Sequence, residues 1–153
     1  MAQRTVRVIM NGVTGRMGYR QHLVRSILPI RADGGVRLPN GDRVTVEPIL
    51  VGRNAEKLAA LAAQHGVSDF TTALDEALSD DSASIYFDAQ VTTERKKSIL
   101  KAISAGKHIY TEKPIAESVS EGVELVTAAG EAGVINGVVH DKLYLPGLLK
   151  LKR

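Results

Sequence analysis

Short runs rich in Val and Ile alternate along the chain with longer stretches whose apolar residues recur at helical spacing. The first run contains Val6, Val8 and Ile9, and the helix-like stretch after it contains Leu23 and Ile27. The runs predict β-strands over residues 5–10, 44–51, 69–71, 84–88, 108–111 and 134–139, and the stretches between them predict helices over 16–28, 54–65, 74–78, 92–105 and 118–132. This alternation predicts a parallel sheet connected by helical crossovers.

Prolines, glycines and capping residues predict where these elements begin and end. Pro29 is expected to end the first helix, and Pro48 to make the early part of the second strand a sheet edge or entry. Residues 31–43 are expected to form a surface excursion with a tight turn at Asn40-Gly41. Helix caps are expected at Asn54, at Thr92 or Thr93 and at Ser118 or Ser120, helix stops at Gly66, Gly106 and Gly133, and the start of a last helix near Pro146.

Composition narrows the class of protein. The chain has 153 residues, the size of one domain, and only 4% are aromatic, so the core must be aliphatic. The absence of cysteine excludes a disulfide scaffold, a thiolate zinc site and a cysteine nucleophile. A net charge of +3, without basic clusters interleaved with aromatics, argues against nucleic acid as a partner. No apolar run is long enough for a bilayer and no signal peptide is visible, so a cytoplasmic protein without a membrane partner is expected.

A glycine-rich turn separates the first predicted strand from the first predicted helix. Its G-x-x-G-x-x-G spacing allows a tight turn, close backbone approach to a pyrophosphate and close helix packing, with the helix N-terminus facing the phosphates. The strand–turn–helix context predicts a Rossmann-type, doubly wound α/β domain that binds a dinucleotide. The predicted contacts in this turn are Gly12, Val13, Thr14, Gly15, Arg16, Met17 and Gly18.

The end of the second predicted strand indicates which dinucleotide is bound. Gly52-Arg53-Asn54 has no carboxylate of the kind that binds the ribose 2′-hydroxyl of NAD. A guanidinium at Arg53 suits the 2′-phosphate of NADP, and Arg16 is a second candidate contact. NADP is therefore preferred over NAD, and the alternative is that Arg53 is a solvated loop residue.

Further polar residues follow later strands, where ligands of open α/β sheets bind. Lys113 in Glu112-Lys113-Pro114 is the candidate catalytic residue, because Pro114 holds its backbone extended and permits a cis bond. Glu112 is expected to orient Lys113 or to adjust its basicity. Additional cofactor contacts are predicted at Asp88, Ala89, Thr92, Glu112 and Pro114 and at Lys113 itself, and substrate contacts at His140, Asp141 and Lys142.

The segment Gly106–Pro114 closely resembles the AGKHV-x-x-EKP signature of the glucose–fructose oxidoreductase/inositol dehydrogenase (Gfo/Idh/MocA) family. The resemblance implies that Lys113 lies beside nicotinamide and substrate and assists proton transfer between hydroxyl and ketone. The chain departs from the family after strand four, where Asp88–Arg95 replaces the usual Thr-Pro-Asn and a following histidine. The resemblance also implies a second domain that supplies the substrate pocket, and 153 residues are too few to include it. Residues 1–144 are therefore expected to be the dinucleotide-binding domain and 145–153 the truncated start of a linker helix.

The remaining candidate residues are interpreted as structural. His22 and His65 are expected to be surface residues on helices, and His108 to serve packing or a turn. No His and carboxylate spacing supports a metal site. None of the serines or threonines lies in a G-x-S-x-G nucleophile motif.

Two functions are compatible with these features. The first is an NAD(P)-dependent oxidoreductase that transfers hydride between nicotinamide and a hydroxyl or carbonyl carbon. Its substrate would be a sugar, a cyclitol or a related polyol, by analogy with the family. The alternative is a non-catalytic NADP(H)-binding module, acting as a sensor or a partner subunit. Homo-oligomerisation is compatible with either function.

Overall fold

The predicted alternation of strands and helices is present in the structure, a computed structural model that describes residues 2–152. The strands are β1 (Gln3–Asn11), β2 (Val36–Arg37), β3 (Arg43–Val51), β4 (Phe70–Thr71), β5 (Ala83–Asp88), β6 (His108–Thr111) and β7 (Asn136–Val138). The helices are α1 (Met17–Ile27, continued by Leu28–Ala32), α2 (Ala55–His65), α3 (Leu74–Leu78), α4 (Thr92–Ser104), α5 (Val119–Glu131) and α6 (Pro146–Leu151), with a 3₁₀ turn at Asp141–Tyr144.

The strands form one sheet in the order β3-β1-β5-β6-β7, with β2 and β4 both paired to the outer side of β3. All pairs are parallel except β2–β3. Asn11 at the end of β1 pairs with Val51 and Asp88, and Asp88 pairs with Thr111, so four strands end at one edge. This carboxyl edge is the ligand-binding edge of a doubly wound α/β sheet, and the predicted fold class is confirmed.

The core lies on both faces of this sheet, because alternate residues of a strand point to opposite sides. Ile9 and Tyr86 pack on one face against α3, α4 and α5. Met10 and Phe87 pack on the other face against Leu23 of α1 and the residues of α2. Aliphatic side chains dominate both clusters, as the composition predicts.

The first helix is longer than predicted. It is wound as a π-helix over Met17–Ile27 and as an α-helix over Leu28–Ala32, and the backbone N–H of Leu28 donates to the carbonyl of Leu23. The prediction that Pro29 ends the helix is wrong. Pro29 lies in the first turn of the α-helical part, where a missing N–H and a fixed φ are tolerated.

The segment 31–43 contains the expected turn and an unexpected strand. Gly41 has a φ of +89° beside Asn40, which confirms the tight turn. The turn returns β2 antiparallel onto β3, a pairing that the surface-excursion prediction missed because Val36–Arg37 is too short to show a period.

Pro48 is accommodated by the two short strands on the outer side of β3. The N–H of Leu50 donates to the carbonyl of Asp69 at 2.9 Å, and Pro48 has the same orientation along the strand. Its missing N–H therefore faces the gap between β2 and β4, which is consistent with the predicted edge position.

Local capping signals were mostly predictive. Asn54 accepts a hydrogen bond from the N–H of Lys57 at 2.8 Å, and Ser118 accepts one from Glu121 at 3.3 Å. The prediction of a cap at Thr92 or Thr93 is wrong, because α4 begins at Thr92 and its cap position is Val91, which makes no side-chain cap. β7 is shorter than the predicted 134–139, and a helix beginning at Pro146 is present as expected.

Candidate functional site

The glycine turn after β1 has the shape that a close backbone crossing requires. Gly12 has a φ of +82°, and a Cβ there would lie 2.8 Å from Ala89 C and Gln90 N. A Cβ at Gly18 would lie 2.5 Å from the carbonyl oxygen of Gly12. Gly15 is exposed, and its N–H donates to the Gly12 carbonyl at 3.0 Å. The outer glycines therefore serve packing, and the surface around Gly15 is open to a ligand.

These residues fit a dinucleotide. The exposed surface at Gly15 continues into the N-terminal turn of α1. This turn contains no acidic residue that would repel a phosphate. Val13 is fully buried and can offer only backbone, whereas Arg16 and Met17 are exposed. The side-chain oxygen of Gln90 is buried and has no hydrogen-bond partner within residues 2–152, although its backbone borders Gly12. Sequence reasoning missed this acceptor, which a ligand hydroxyl could satisfy.

The end of β3 lies beside this turn and presents a free cation. The backbone N–H of Gly12 donates to the carbonyl of Val51 at 3.0 Å, and Gly52 is packed against Thr14. Arg53 is exposed and has no ion-pair partner in the described part of the chain. The neighbouring Asn54 is also exposed, and its side chain caps α2.

The end of β5 is built around a buried ion pair. Asp88 is 0% exposed and accepts hydrogen bonds from Tyr86 Oη at 2.7 Å, the Gln90 N–H at 3.0 Å and Arg95 Nε at 3.0 Å. Burial raises the pKa of Asp88, and the hydrogen bonds from Tyr86 and Arg95 oppose that shift. Asp88 was predicted as a cofactor contact, but its carboxylate is enclosed and satisfied by the protein, so this carboxylate is not exposed to a ligand.

Arg95 connects this ion pair to the two neighbouring loops. Its guanidinium also donates to the carbonyls of Gln90, at 2.7 Å, and of Pro114. Sequence reasoning missed Arg95, although a signal existed. Arg95 lies on the buried stripe of α4 formed by Ser98, Ile99 and Ala102, where a charged residue needs a partner.

The loop after β6 places Lys113 at the same edge. The bond between Lys113 and Pro114 is cis, as the sequence permitted, and both residues are exposed. Glu112 is only 5% exposed, and its Oε2 accepts the backbone N–H of Lys113 at 3.0 Å. The expected orienting contact from Glu112 is therefore made to the backbone of Lys113.

The other oxygen of Glu112 contacts a histidine whose role was mispredicted. His22 Nε2 lies 2.6 Å from Glu112 Oε1, and the His22 ring packs on Phe87 at 4.4 Å between centroids. The side chain of His22 is 16% exposed, so its interpretation as a surface residue is wrong. The contact spans 90 residues of chain, and no local pattern signals it.

A groove of about 750 Å³ runs from this edge along the α1 side of the sheet. Its floor is apolar and includes Met10 and Phe87. Polar side chains gather at its end near the carboxyl edge, namely Gln21, His22, Glu112, Lys113, Asp141 and Lys142. The structure therefore brings Asp141 and Lys142 to the groove that Lys113 borders, whereas His140 is exposed and outside the lining.

The other two histidines have structural contacts. His65 Nε2 lies 3.1 Å from the hydroxyl of Tyr19, so this residue is partly buried between α1 and α2 rather than a free surface residue. His108 Nδ1 accepts the N–H of Ile135 at 3.2 Å, which confirms its turn role. Within residues 2–152, no three His, Asp or Glu side chains are grouped as metal ligands would be. None of the helices described there is long and apolar enough to cross a membrane.

One curated relative and two solved structures are similar to this chain. A protein 57% identical over 148 residues is the D-xylose dehydrogenase of Paenarthrobacter nicotinovorans, and the match covers 97% of this chain and 38% of that enzyme. The chain thus spans about two fifths of the length of this relative.

Two solved structures share the fold. The WlbA dehydrogenase of Bordetella pertussis, in complex with NADH and UDP-GlcNAcA, superposes with a TM-score of 0.77 at 23% identity over 99% of this chain and 41% of that one. The 3-ketoreductase KijD10 of Actinomadura kijaniata, in complex with NADP and TDP-benzene, has a TM-score of 0.74 at 18% identity, over 97% of this chain and 41% of that one.

The expected family is confirmed by a direct match. The sequence model of the Gfo/Idh/MocA family, described as an oxidoreductase family with an NAD-binding Rossmann fold, matches residues 6–140. This range contains the glycine turn, the β3 end, the Asp88 ion pair and the Lys113 loop. The chain belongs to the Gfo/Idh/MocA oxidoreductase family.

Proposed function

We propose that the chain binds NADP and provides the cofactor half of a sugar dehydrogenase site, with Lys113 as its catalytic residue. The observation that carries this proposal is that the glycine turn after β1 and Lys113 after β6 lie at the same edge of the sheet, beside an apolar groove with a polar end. The D-xylose dehydrogenase at 57% identity supports an aldose as the substrate class.

The cofactor preference rests on the end of β3. Arg53 is exposed and unpaired within residues 2–152, and this end of the strand carries no carboxylate that would repel a 2′-phosphate. Arg16, also exposed, lies at the start of α1 close to the glycine turn. Nicotinamide cofactors of both kinds occur in the structural relatives, NADP in one and NADH in another, so the preference for NADP depends on these two arginines.

The remaining cofactor contacts follow from the same placement. The backbone from Gly12 to Gly18 would hold the pyrophosphate, and Gly52, Asn54, Ala89 and Thr92 would add contacts around it. Gly52 packs on Thr14, and the Ala89 backbone lies against Gly12, which supports the first and third of these. Glu112 and Pro114 would set the backbone beside the nicotinamide, and Asp141 and Lys142 would meet the substrate. Asp88 would support the site through Arg95 without touching the cofactor.

The chemistry is an alcohol oxidation. The dinucleotide, when bound at this edge, would supply the hydride acceptor for the carbon that carries the reacting hydroxyl. In its neutral amine form Lys113 would accept the proton of that hydroxyl as the C–O bond becomes a carbonyl, and the ammonium so formed would pass the proton to solvent. In the reverse direction the same ammonium stabilises the carbonyl oxygen and returns the proton.

Binding and turnover are measured separately on the full chain. Fluorescence titration with NADPH and NADH gives the two dissociation constants, and absorbance at the nicotinamide band follows oxidation of D-xylose and other aldoses with NADP⁺. We expect NADPH to bind more tightly than NADH, and Lys113→Ala to abolish any sugar-dependent reduction while leaving NADPH bound. Lys97→Ala is the matched control, because Lys97 is an exposed lysine of α4 that borders a different surface.

The outcomes separate the proposal from its alternative. Binding with turnover that Lys113→Ala removes and Lys97→Ala retains supports the dehydrogenase. Tight NADPH binding without oxidation of any aldose supports the non-catalytic NADP(H)-binding module. If neither dinucleotide binds, both functions are wrong.

A further inference from the structure

We propose that His22 is a positioning residue of the Lys113 site, acting through Glu112. This inference rests on the proposed function, because it concerns how the proposed catalytic lysine is held. His22 of α1 meets the consecutive residues Glu112 and Lys113 of the loop after β6, and each contact is within hydrogen-bonding distance.

Glu112 is held at both of its oxygens. Its Oε1 accepts the hydrogen bond from His22 Nε2 at 2.6 Å, and its Oε2 accepts the backbone N–H of Lys113 at 3.0 Å. The N–H of Glu112 itself donates to the Asp88 carbonyl at 2.8 Å. The backbone at Lys113 is therefore fixed from the carboxylate side by Glu112, and the carboxylate is fixed by His22.

The groove makes the histidine necessary. Glu112, His22 and Lys113 all line a space of about 750 Å³, so a carboxylate without its histidine has room to swing away from the lysine backbone. A buried carboxylate that loses one hydrogen bond gains by turning toward water. His22 prevents that movement by donating to the oxygen that does not serve Lys113.

His22 is itself anchored from two sides. Its ring packs on Phe87 of β5, with centroids 4.4 Å apart, and its backbone belongs to the helix that begins at the glycine turn. The contacts thus form a continuous path from β5 through α1 to the loop after β6. We infer that these contacts hold Lys113 at a constant distance from the glycine turn. The turn would bind the phosphates, and the lysine would act on the substrate.

The Lys113 ammonium has no ion-pair partner within residues 2–152, so its direction depends on its backbone. A flexible lysine stem loses precision when the amide from which it starts can move. The role of His22 therefore differs from that of a packing residue. Its loss should increase hydrogen exchange at the Lys113 amide more than at amides of the core.

Three variants separate these roles. His22→Phe keeps a ring against Phe87 and removes the donor, and His22→Gln returns an N–H near the position of Nε2. Tyr19→Phe is the matched control, because it removes another hydrogen bond of the same helix, the 3.1 Å contact with His65, far from the lysine loop.

The readout is amide hydrogen exchange by ¹⁵N NMR on the full chain without cofactor, with the exchange of Lys113 compared with that of Ile9 in the core. We expect His22→Phe to accelerate exchange at Lys113 about tenfold relative to Ile9, the effect of one hydrogen bond to a charged group. His22→Gln should recover most of the protection, and Tyr19→Phe should leave the ratio unchanged.

The inference is overturned if Lys113 and Ile9 change in parallel in His22→Phe, or if His22→Gln behaves like His22→Phe. NADPH titration of the wild-type chain keeps this test separate from that of the proposed function. A chain that binds no dinucleotide refutes the function, whereas an unchanged exchange ratio in a chain that binds NADPH refutes the role of His22 alone.

Discussion

The two halves of the carboxyl edge are built in different ways. Around β5 and β6, buried side chains bind one another: Arg95 holds Asp88 and the Pro114 carbonyl, and His22 holds Glu112. Around β1 and β3, close backbone contacts at the glycine turn form the edge. The charged side chain of Arg53 there is exposed and makes no ion pair within the described residues.

This difference follows from what each half would bind. A phosphate chain is recognised by N–H groups and mobile cations, which must remain accessible. A catalytic lysine must be held in one place, which requires a network whose members satisfy each other. The following predictions test that contrast, beginning with the largest expected effect.

Arg95→Met should destabilise the side-chain half most. It leaves the Asp88 carboxylate buried without its cation, and we expect the free energy of unfolding to fall by about 3–5 kcal/mol. Burial already raises the pKa of Asp88, and loss of Arg95 raises it further. A carboxyl group whose pKa is raised in the folded state stabilises the fold below its unfolded pKa, and this contribution is lost as pH rises through the folded pKa. The loss of unfolding free energy in Arg95→Met should therefore be larger at pH 7 than at pH 4.

Urea denaturation at the two pH values measures this effect. The double variant Asp88→Asn with Arg95→Met should recover part of the loss, because the stranded charge is gone. A loss of unfolding free energy below about 1 kcal/mol would be typical of an exposed ion pair. It would contradict the conclusion that buried side-chain contacts hold the β5–β6 half of the edge.

Gly12→Ala and Gly15→Ala should separate the two roles of the glycine turn, which are packing at Gly12 and phosphate binding at Gly15. Gly12→Ala forces a positive φ and a contact of 2.8 Å with backbone, so we expect a loss of about 1–3 kcal/mol in unfolding free energy. Gly15→Ala should fold nearly normally, because its Cβ would meet only the Gly12 carbonyl at 3.2 Å. It should still weaken NADPH binding about tenfold by blocking the phosphate approach.

Thermal unfolding and NADPH titration of both variants distinguish the tasks. Unimpaired NADPH binding by Gly15→Ala would show that the exposed surface at this glycine does not meet a phosphate.

Arg53→Asp should change cofactor choice without changing stability. Replacing the free guanidinium by a carboxylate removes the 2′-phosphate partner and offers one to a ribose hydroxyl, so the NADP/NAD affinity ratio should fall about tenfold or more. The ratio of the two dissociation constants measures it. Arg37→Asp makes the same charge change at the exposed strand β2 and is the control. An unchanged ratio in Arg53→Asp would refute the NADP assignment.

Ser82→Ala is expected to have the smallest effect, because it acts at the opposite edge of the sheet. The Ser82 hydroxyl donates to Asp80 Oδ1 at 2.5 Å and lowers the pKa of Asp80, with Arg7 and Lys107 acting in the same direction. A depressed folded-state pKa stabilises the fold above the unfolded pKa, and this benefit is lost as pH falls. The small stability difference from wild type should therefore be present at pH 7 and shrink below the ordinary value of 3.8.

An NMR titration of Asp80 and urea midpoints at two pH values test this prediction. NADPH binding should be unaffected. A difference in stability that grows on acidification would contradict the sign.

Local signals in the sequence were sufficient for much of the architecture. The caps at Asn54 and Ser118 and the turn at Asn40-Gly41 depend on a few adjacent residues, and each is present. Pro29 was mispredicted because it lies in the first turn of the α-helical part, where proline is tolerated. Thr92 was mispredicted because α4 already begins at Thr92, which leaves Val91 at the cap position. The pairing of Val36–Arg37 with β3 was missed, since a two-residue strand shows no periodicity.

The candidate site shows the same division. Sequence placed the glycine turn, Arg53 and Lys113 at the carboxyl edge, because parallel strands that alternate with helices all end there. It did not identify His22 as a partner of Glu112, because the two residues are 90 positions apart and no local pattern connects them. The buried stripe of α4 was a signal for Arg95, but it does not indicate which residue the guanidinium binds. Arg95 meets Pro114 and His22 meets Glu112 only once the sheet has brought their elements together.

The sequence by itself determined the sheet, its ligand-binding edge and the family, since hydrophobic periodicity and short motifs are local properties of the chain. Tertiary structure alone decided which side chains are enclosed and which remain free at that edge. Asp88 shows the reason: its position in the sequence predicted a ligand contact, but burial beside Arg95 and Tyr86 satisfies its carboxylate within the protein.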